Sequence, residues 1–213
     1  MTKSILALGL PAGFQNAIFA IANLFIQAGV NSFDSLMVKG NSAAANADGM
    51  IYDAMAAFYM ACASFMSQNY GAGNLKRVKK GTWVTLAMGV LYTLCTGALL
   101  LAFQKPIMHL FTSDETVVSF GCIAMHYFCP FYFLLSILHG MAGAVRGTGR
   151  SVPPMVVLLV SLCLFRVVWI QFVLPFFSGI EGVFVLYPVS WALGAVLMVL
   201  YAWKGSWMTY DHS

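Results

Sequence analysis

The sequence predicts an all-α membrane protein of six transmembrane helices with both termini in the cytoplasm. Three observations predict it. Hydrophobic residues make up 61% of the chain and mean hydropathy is +0.83. Charged residues make up 8%, against about a quarter in soluble domains. The apolar runs are long and unbroken, whereas a membrane β-barrel alternates apolar and polar residues in strands of about ten. So little charge cannot cover a soluble surface, which excludes a soluble enzyme, a nucleic-acid-binding domain and a disordered segment.

A hydrocarbon core of about 30 Å needs about 20 helical residues. Six stretches meet that length: residues 5–30, 43–69, 83–103, 117–141, 153–174 and 182–203. Together they define a transmembrane unit over 1–204, followed by a short cytoplasmic tail over 205–213. The first stretch carries Gly9, Gly13, Asn16, Ala20, Asn23 and Gln27 in steps of three and four, so all lie on one helical face. Such a stripe suits either close helix packing with interhelical hydrogen bonds or the wall of a polar cavity. The second stretch is rich in alanine and carries Asp53. The third opens after a basic run, and Trp83 stands at its start. The fourth contains Pro130, which implies a kink. His126 and His139 in it lie 13 residues apart and point about 140° apart, so one metal cannot take both. The fifth opens on Pro153-Pro154, which suits a first helical turn, and contains Arg166. The sixth ends at Trp203, and Trp203 and Trp207 are expected as interfacial anchors.

Orientation follows from the basic residues. Lys3, Lys76, Arg77, Lys79, Lys80, Arg146, Arg150 and Lys204 fall on one side, and Lys39 and Lys105 on the other. The eleventh, Arg166, lies within a span. The positive-inside rule then places both termini in the cytoplasm. The basic cluster at 76–80 marks topology rather than phosphate recognition, so nucleic acid is not an expected partner; anionic lipid is a possible contact.

Charges within the spans are costly and should face protein or water. Asp53 and Arg166 fall at similar depth and are expected to pair or to share one aqueous cavity. Glu181 is the alternative partner for Arg166. Asp48, near the outer end of its span, is expected to be solvated. Cys62, Cys95, Cys122, Cys129 and Cys163 read as small buried apolar side chains. Neither GxGxxG, a P-loop, GxSxG, HExxH nor a metal-ligand spacing is completed, so no enzyme and no metal site are expected.

Ser67-Gln68-Asn69-Tyr70-Gly71-Ala72-Gly73-Asn74, followed by Lys76 and Arg77, resembles the Q-x-x-G-A-G-x-x-x-R signature of the MATE (multidrug and toxic compound extrusion) transporters. Gly9-Leu10-Pro11 is similar to the G-L-P that opens a lobe of these proteins. Gly143-Ala144-Val145-Arg146-Gly147-Thr148-Gly149 is similar to their G-x-L-R-G-x-G. Tyr187-Pro188-Val189-Ser190-Trp191 and Arg166-Val167-Val168-Trp169 resemble the bacterial, DinF-like branch.

The resemblance covers nearly the whole chain as one lobe of six helices, by its details the C-terminal lobe. It implies efflux of drug-like organic cations, coupled to inward H⁺ or Na⁺, through a cavity between two lobes in a bacterial inner membrane. The partner is then a missing N-terminal lobe or a second copy of this chain. Asn16, Asn23, Gln27, Asp53 and Arg166 are expected to line the cavity. Gln68, Gly71, Gly73, Arg77 and Pro130 are expected to shape the inner loop and its hinges. The family places a coupling carboxylate in the first helix of a lobe; the region around Phe19 and Ala20 has none, which leaves Asp53 for that role. Rival readings are a homodimeric half-transporter, a lipid-precursor flippase and a non-transporting remnant.

Overall fold

The computed structural model describes residues 2–204 and 206–208, with side chains at 14, 17–49, 51–204 and 207–208. The described chain is helical and has no strand. Its elements are α1 (Thr2–Val30), α2 (Ser35–Gly71), α3 (Leu75–Ala102), α4 (Gln104–His109), α5 (Glu115–Phe128), α6 (Tyr132–Gly147), α7 (Val152–Leu158), α8 (Phe165–Val168) and α9 (Glu181–Trp203). Five stretches are long and apolar enough to cross a membrane: α2, α3, α5–α6 together, Val152–Phe176 and α9. Helix α1 has 29 residues, of which Ala17–Val30 form its described apolar part. Large apolar side chains stand exposed around the molecule, among them Leu24, Met60, Leu91, Phe172 and Trp203. A surface this apolar is stable in lipid, not in water.

The helices outrun the apolar segments at their ends. The loop expected over 31–42 shrinks to four residues, because Asp34 caps α2 by accepting from the Leu36 amide at 2.8 Å. Helix α2, with 37 residues, is about 55 Å long and exceeds the hydrocarbon thickness. Lys76, Arg77, Lys79 and Lys80, expected in a loop, occupy the first turns of α3. The α2–α3 turn is tight. Gly73 takes φ 73°, and the Gly73 and Asn74 amides bond back to the Tyr70 and Asn69 carbonyls at 2.9 Å each. This double bond with a left-handed glycine ends α2. Asn74 at once caps α3, accepting from the Arg77 amide at 3.1 Å.

Pro130 breaks the fourth span as expected. Cys129–Phe131 form one 3₁₀ turn between α5 and α6. A methyl on Gly97 would stand 2.7 Å from the Cys129 carbonyl oxygen, so α3 packs directly on the break. The fifth span is less regular than its sequence suggests. Two π-helical stretches, Leu159–Leu164 and Trp169–Val173, flank the single α-turn of α8, which carries Arg166. Trp207, expected as an interfacial anchor, is buried and donates from Nε1 to the Ala202 carbonyl at 3.1 Å; its indole folds back on the end of α9.

Helix α6 is the axis of the bundle, packed by α2, α3 and α9. A Cβ at Gly147 would lie 2.6 Å from the Met66 Cβ and 2.7 Å from the Ala63 carbonyl oxygen of α2. One at Gly194 of α9 would meet Leu138 of α6 at 2.7 Å. Small residues at such contacts let helices in lipid gain dispersion over their full length. Between the same helices, Tyr59 and Ser136 share a buried hydrogen bond of 2.5 Å.

Gly147→Ala is therefore expected to destabilise by about 1–3 kcal/mol, since the obstruction is backbone and cannot rotate away. Gly71→Ala, with nothing within 4 Å, is expected to be neutral. Thermal unfolding of both variants in detergent checks the contrast; equal midpoints would refute the close-packing account.

Candidate functional site

Five elements converge on one cavity of about 380 Å³. Helix α1 contributes Phe19 and Asn23, α2 contributes Asp48 and Tyr52, and α6 contributes Leu135 and His139. The fifth span contributes Leu162 and Arg166, and α9 contributes Tyr187 and Trp191. Aromatic rings and the polar side chains of Asn23, Asp48, His139 and Arg166 share the lining, a composition able to bind an amphipathic small molecule.

Arg166 is buried and held from one side. Its Nε donates to the Ser190 Oγ at 3.0 Å, and its guanidinium carbon lies 4.7 Å from the centroid of the Tyr187 ring. Ser190 in turn donates to the Tyr187 carbonyl at 2.8 Å. Stacking and one hydrogen bond orient the cation. Among the described residues no carboxylate lies within bridging distance of it; the only ion pair is His109–Glu115 at 3.7 Å, elsewhere. The two π-helical stretches put Arg166 in this place. They change the residues per turn on either side of α8, and π turns recur where a helix must present a side chain to a site.

The acid that faces this cation is Asp48, not Asp53. Asp48 lines the cavity. Asp53 is exposed. Five residues along a helix turn it by about 140°, so the two carboxylates cannot face one cavity. Asp48 and Tyr52, four apart, do. The expected Asp53–Arg166 pair is thus replaced by Asp48 and Arg166 across the cavity, and Asp48 is not the solvated end residue that its position suggested. Glu181 is exposed at the start of α9.

His139 lines the same cavity. Its ring meets Tyr52 edge-on with centroids 5.6 Å apart, and its Nε2 is buried without a hydrogen-bond partner. His126, by contrast, is exposed and engages the Cys122 carbonyl at 2.8 Å. The two histidines point apart, and among the described residues no cluster has metal-ligand character.

The other expected site residues separate. Asn23 lines the cavity. Gln27 is exposed and donates to Asn31 Oδ1 at 2.8 Å. The side chain of Asn16 lies outside the described residues. On α1 the buried line is Ala22, Ile26 and Val30, while Ala20, Asn23 and Gln27 are exposed. Gln68 and Gly71 are exposed at the end of α2. Gly73 makes the turn described above, Arg77 stacks 5.8 Å from the Phe65 ring centroid, and Pro130 forms the 3₁₀ break. Sequence reasoning missed Asp48, Tyr52, His139 and Tyr187 as a group. The i, i+4 spacing of Asp48 and Tyr52 was the available signal.

A double variant tests the assignment. Arg166→Gln alone is expected to lower the folded yield, because it leaves Asp48 without a cation across the cavity. Asp48→Asn added to Arg166→Gln is expected to restore part of it, and Asp53→Asn is not. Rescue by Asp53→Asn instead would overturn the pairing.

Comparison with known proteins places the chain. The MatE family model matches residues 11–170. A probable multidrug resistance protein NorM of Thermotoga maritima is 24% identical over 215 residues, covering 96% of this chain and 44% of its own length. A probable multidrug resistance protein YpnP of Bacillus subtilis is 28% identical over 162 residues, covering 76% of this chain and 36% of its own length. An FAD transporter of Shewanella oneidensis is 24% identical over 184 residues, covering 84% of this chain and 40% of its own length. The chain spans less than half the length of each of these relatives.

Proposed function

The chain belongs to the MatE family, a family of transporters rather than enzymes, and from that premise we propose that it forms one six-helix lobe of a multidrug exporter. The carrying observation is the cavity in which Asp48, His139 and Arg166 share the lining with aromatic rings. Relatives named as multidrug resistance proteins support efflux as the activity. The cargo is a drug-like organic cation, stacked on Tyr187, Trp191 and Phe19, with Asp48 as its counter-charge. Coupling is to inward H⁺ or Na⁺. Of the groups on the cavity, Asp48 and His139 are those able to exchange a proton. The exposed amide side of α1, carrying Asn23 and Gln27 with Asn16 in step, faces the partner: an N-terminal lobe or a second copy of the chain. Gln68, Gly71, Gly73 and Arg77 shape the inner turn, and Pro130 provides a hinge. The location is a bacterial inner membrane, with both termini cytoplasmic.

One observation favours a second reading. Arg166 is a buried cation on the cavity, and one relative is named an FAD transporter. An anionic, flat-ringed cargo would use Arg166 for its charge and the same aromatic side chains for its rings.

Cells expressing the chain are expected to accumulate less ethidium than control cells. Asn16→Leu, Asn23→Leu and Asp48→Asn are each expected to cancel that difference at unchanged membrane abundance. Undiminished efflux in the Asp48→Asn variant would refute the cavity assignment. Ethidium accumulation like that of controls, joined by export of flavin nucleotide that Arg166→Gln abolishes, would replace the first reading by the second.

A further inference from the structure

Away from that cavity, a groove of about 380 Å³ runs between α2 and α3. Phe58 and Phe65 of α2 form one wall and Val84 and Met88 of α3 the other. The two helices are antiparallel across the short turn at 72–74, so the groove follows their length and ends near the turn. Gly81 lets them close there: a methyl on it would stand 2.6 Å from the Phe65 ring.

Two cations, Arg77 and Lys80, line the groove. Arg77 stacks 5.8 Å from the Phe65 ring centroid, which holds its guanidinium over the apolar wall. Lys76 and Lys79 stand exposed beside them. The chain has no acid between Asp53 and Asp114. Among the described residues no carboxylate bridges any of the four cations. Among the described residues, then, no carboxylate neutralises their charge. Trp83, exposed at 67%, lies one turn further along α3, where an indole suits the boundary between headgroups and hydrocarbon.

A groove with apolar walls and a cationic end at that level matches one ligand chemistry: an anionic head on a hydrocarbon chain. Two cations disfavour a cationic drug, and the aromatic and aliphatic walls disfavour free phosphate. We propose that this groove is a binding site for an anionic phospholipid of the surrounding bilayer. The phosphate sits between Arg77 and Lys80, and one acyl chain lies along Phe58 and Met88. Basic pockets between membrane helices hold acidic headgroups by the same physics. The site shares no residue with the polar cavity, and its test reads lipid retention rather than transport.

Native mass spectrometry of the full chain tests this, after purification in micelles holding equal phosphatidylglycerol and phosphatidylcholine. Phosphatidylglycerol is expected as the retained adduct. Its preference should fall about thirtyfold in Arg77→Gln/Lys80→Gln. Lys39→Gln/Lys105→Gln removes the same charge elsewhere and should leave the preference intact. Val84→Trp fills the groove while keeping both cations, and should also expel the lipid; it decides the matter if the double variant fails to fold. Equal retention of the two lipids overturns the proposal. So does an equal loss in both double variants, or displacement of the adduct by millimolar inorganic phosphate.

Discussion

The close approach of α2 to α6 governs the arrangement of the other helices. At Gly147 the two backbones nearly touch, with the Met66 Cβ, the Ala63 carbonyl oxygen and the Ser67 amide nitrogen on the facing side. Lipid offers no hydrophobic gain for helix association, so the contact rests on dispersion and a few polar bonds. The Tyr59–Ser136 bond lies along the same seam. With α6 held there, α9 packs on its other side at Gly194 and Leu138. Leu135 and His139 of α6 are thereby aimed at the cavity shared with α2, the fifth span and α9.

Irregular backbone adjoins two of the elements that line the cavity, α6 and α8. Hydrocarbon cannot satisfy a free amide or carbonyl, so departures from the α-helix are tolerated where protein covers them. The Pro130 break lies under Gly97 of α3 and leads into Tyr132, which lines one small pocket with Asp48. The π-helical stretches flank Arg166. The fifth span is tied to α9 nearby, where Trp169 Nε1 donates to the Gly182 carbonyl at 2.9 Å. Each irregularity thus serves to place a polar side chain.

The polar cavity and the α2–α3 groove divide the polar side chains between two environments. In the cavity, one cation, one acid and one histidine share a lining with aromatic and leucine side chains and Asn23. In the groove, cations stand without acids at the end of an apolar wall. The first arrangement suits a cargo that passes through; the second suits a lipid that stays.

Much of the architecture was legible in the sequence. Apart from the first, the apolar runs fall on the five stretches long and apolar enough to cross a membrane, because about 20 helical residues are needed to cross lipid, and Pro130 gave the break because it lacks an amide. Within two of the stretches that resemble family motifs, Gly73 and Gly149 take φ 73° and 86°. What only the tertiary structure decided was direction. Composition places Asp48, Asp53 and Arg166 near the membrane but does not say which acid faces the cation. That depends on a rotation of about 140° along α2 and on π turns in the fifth span, which no periodicity in Leu, Val and Phe reveals. Helix ends were equally hidden, because α2 and α3 continue through polar residues once Asp34 and Asn74 cap them. Trp207 reads as a membrane anchor until the end of α9 offers its indole a carbonyl. Hydropathy is a sum over residues and survives without coordinates; the facing of a side chain is a property of neighbours, and only packing sets it.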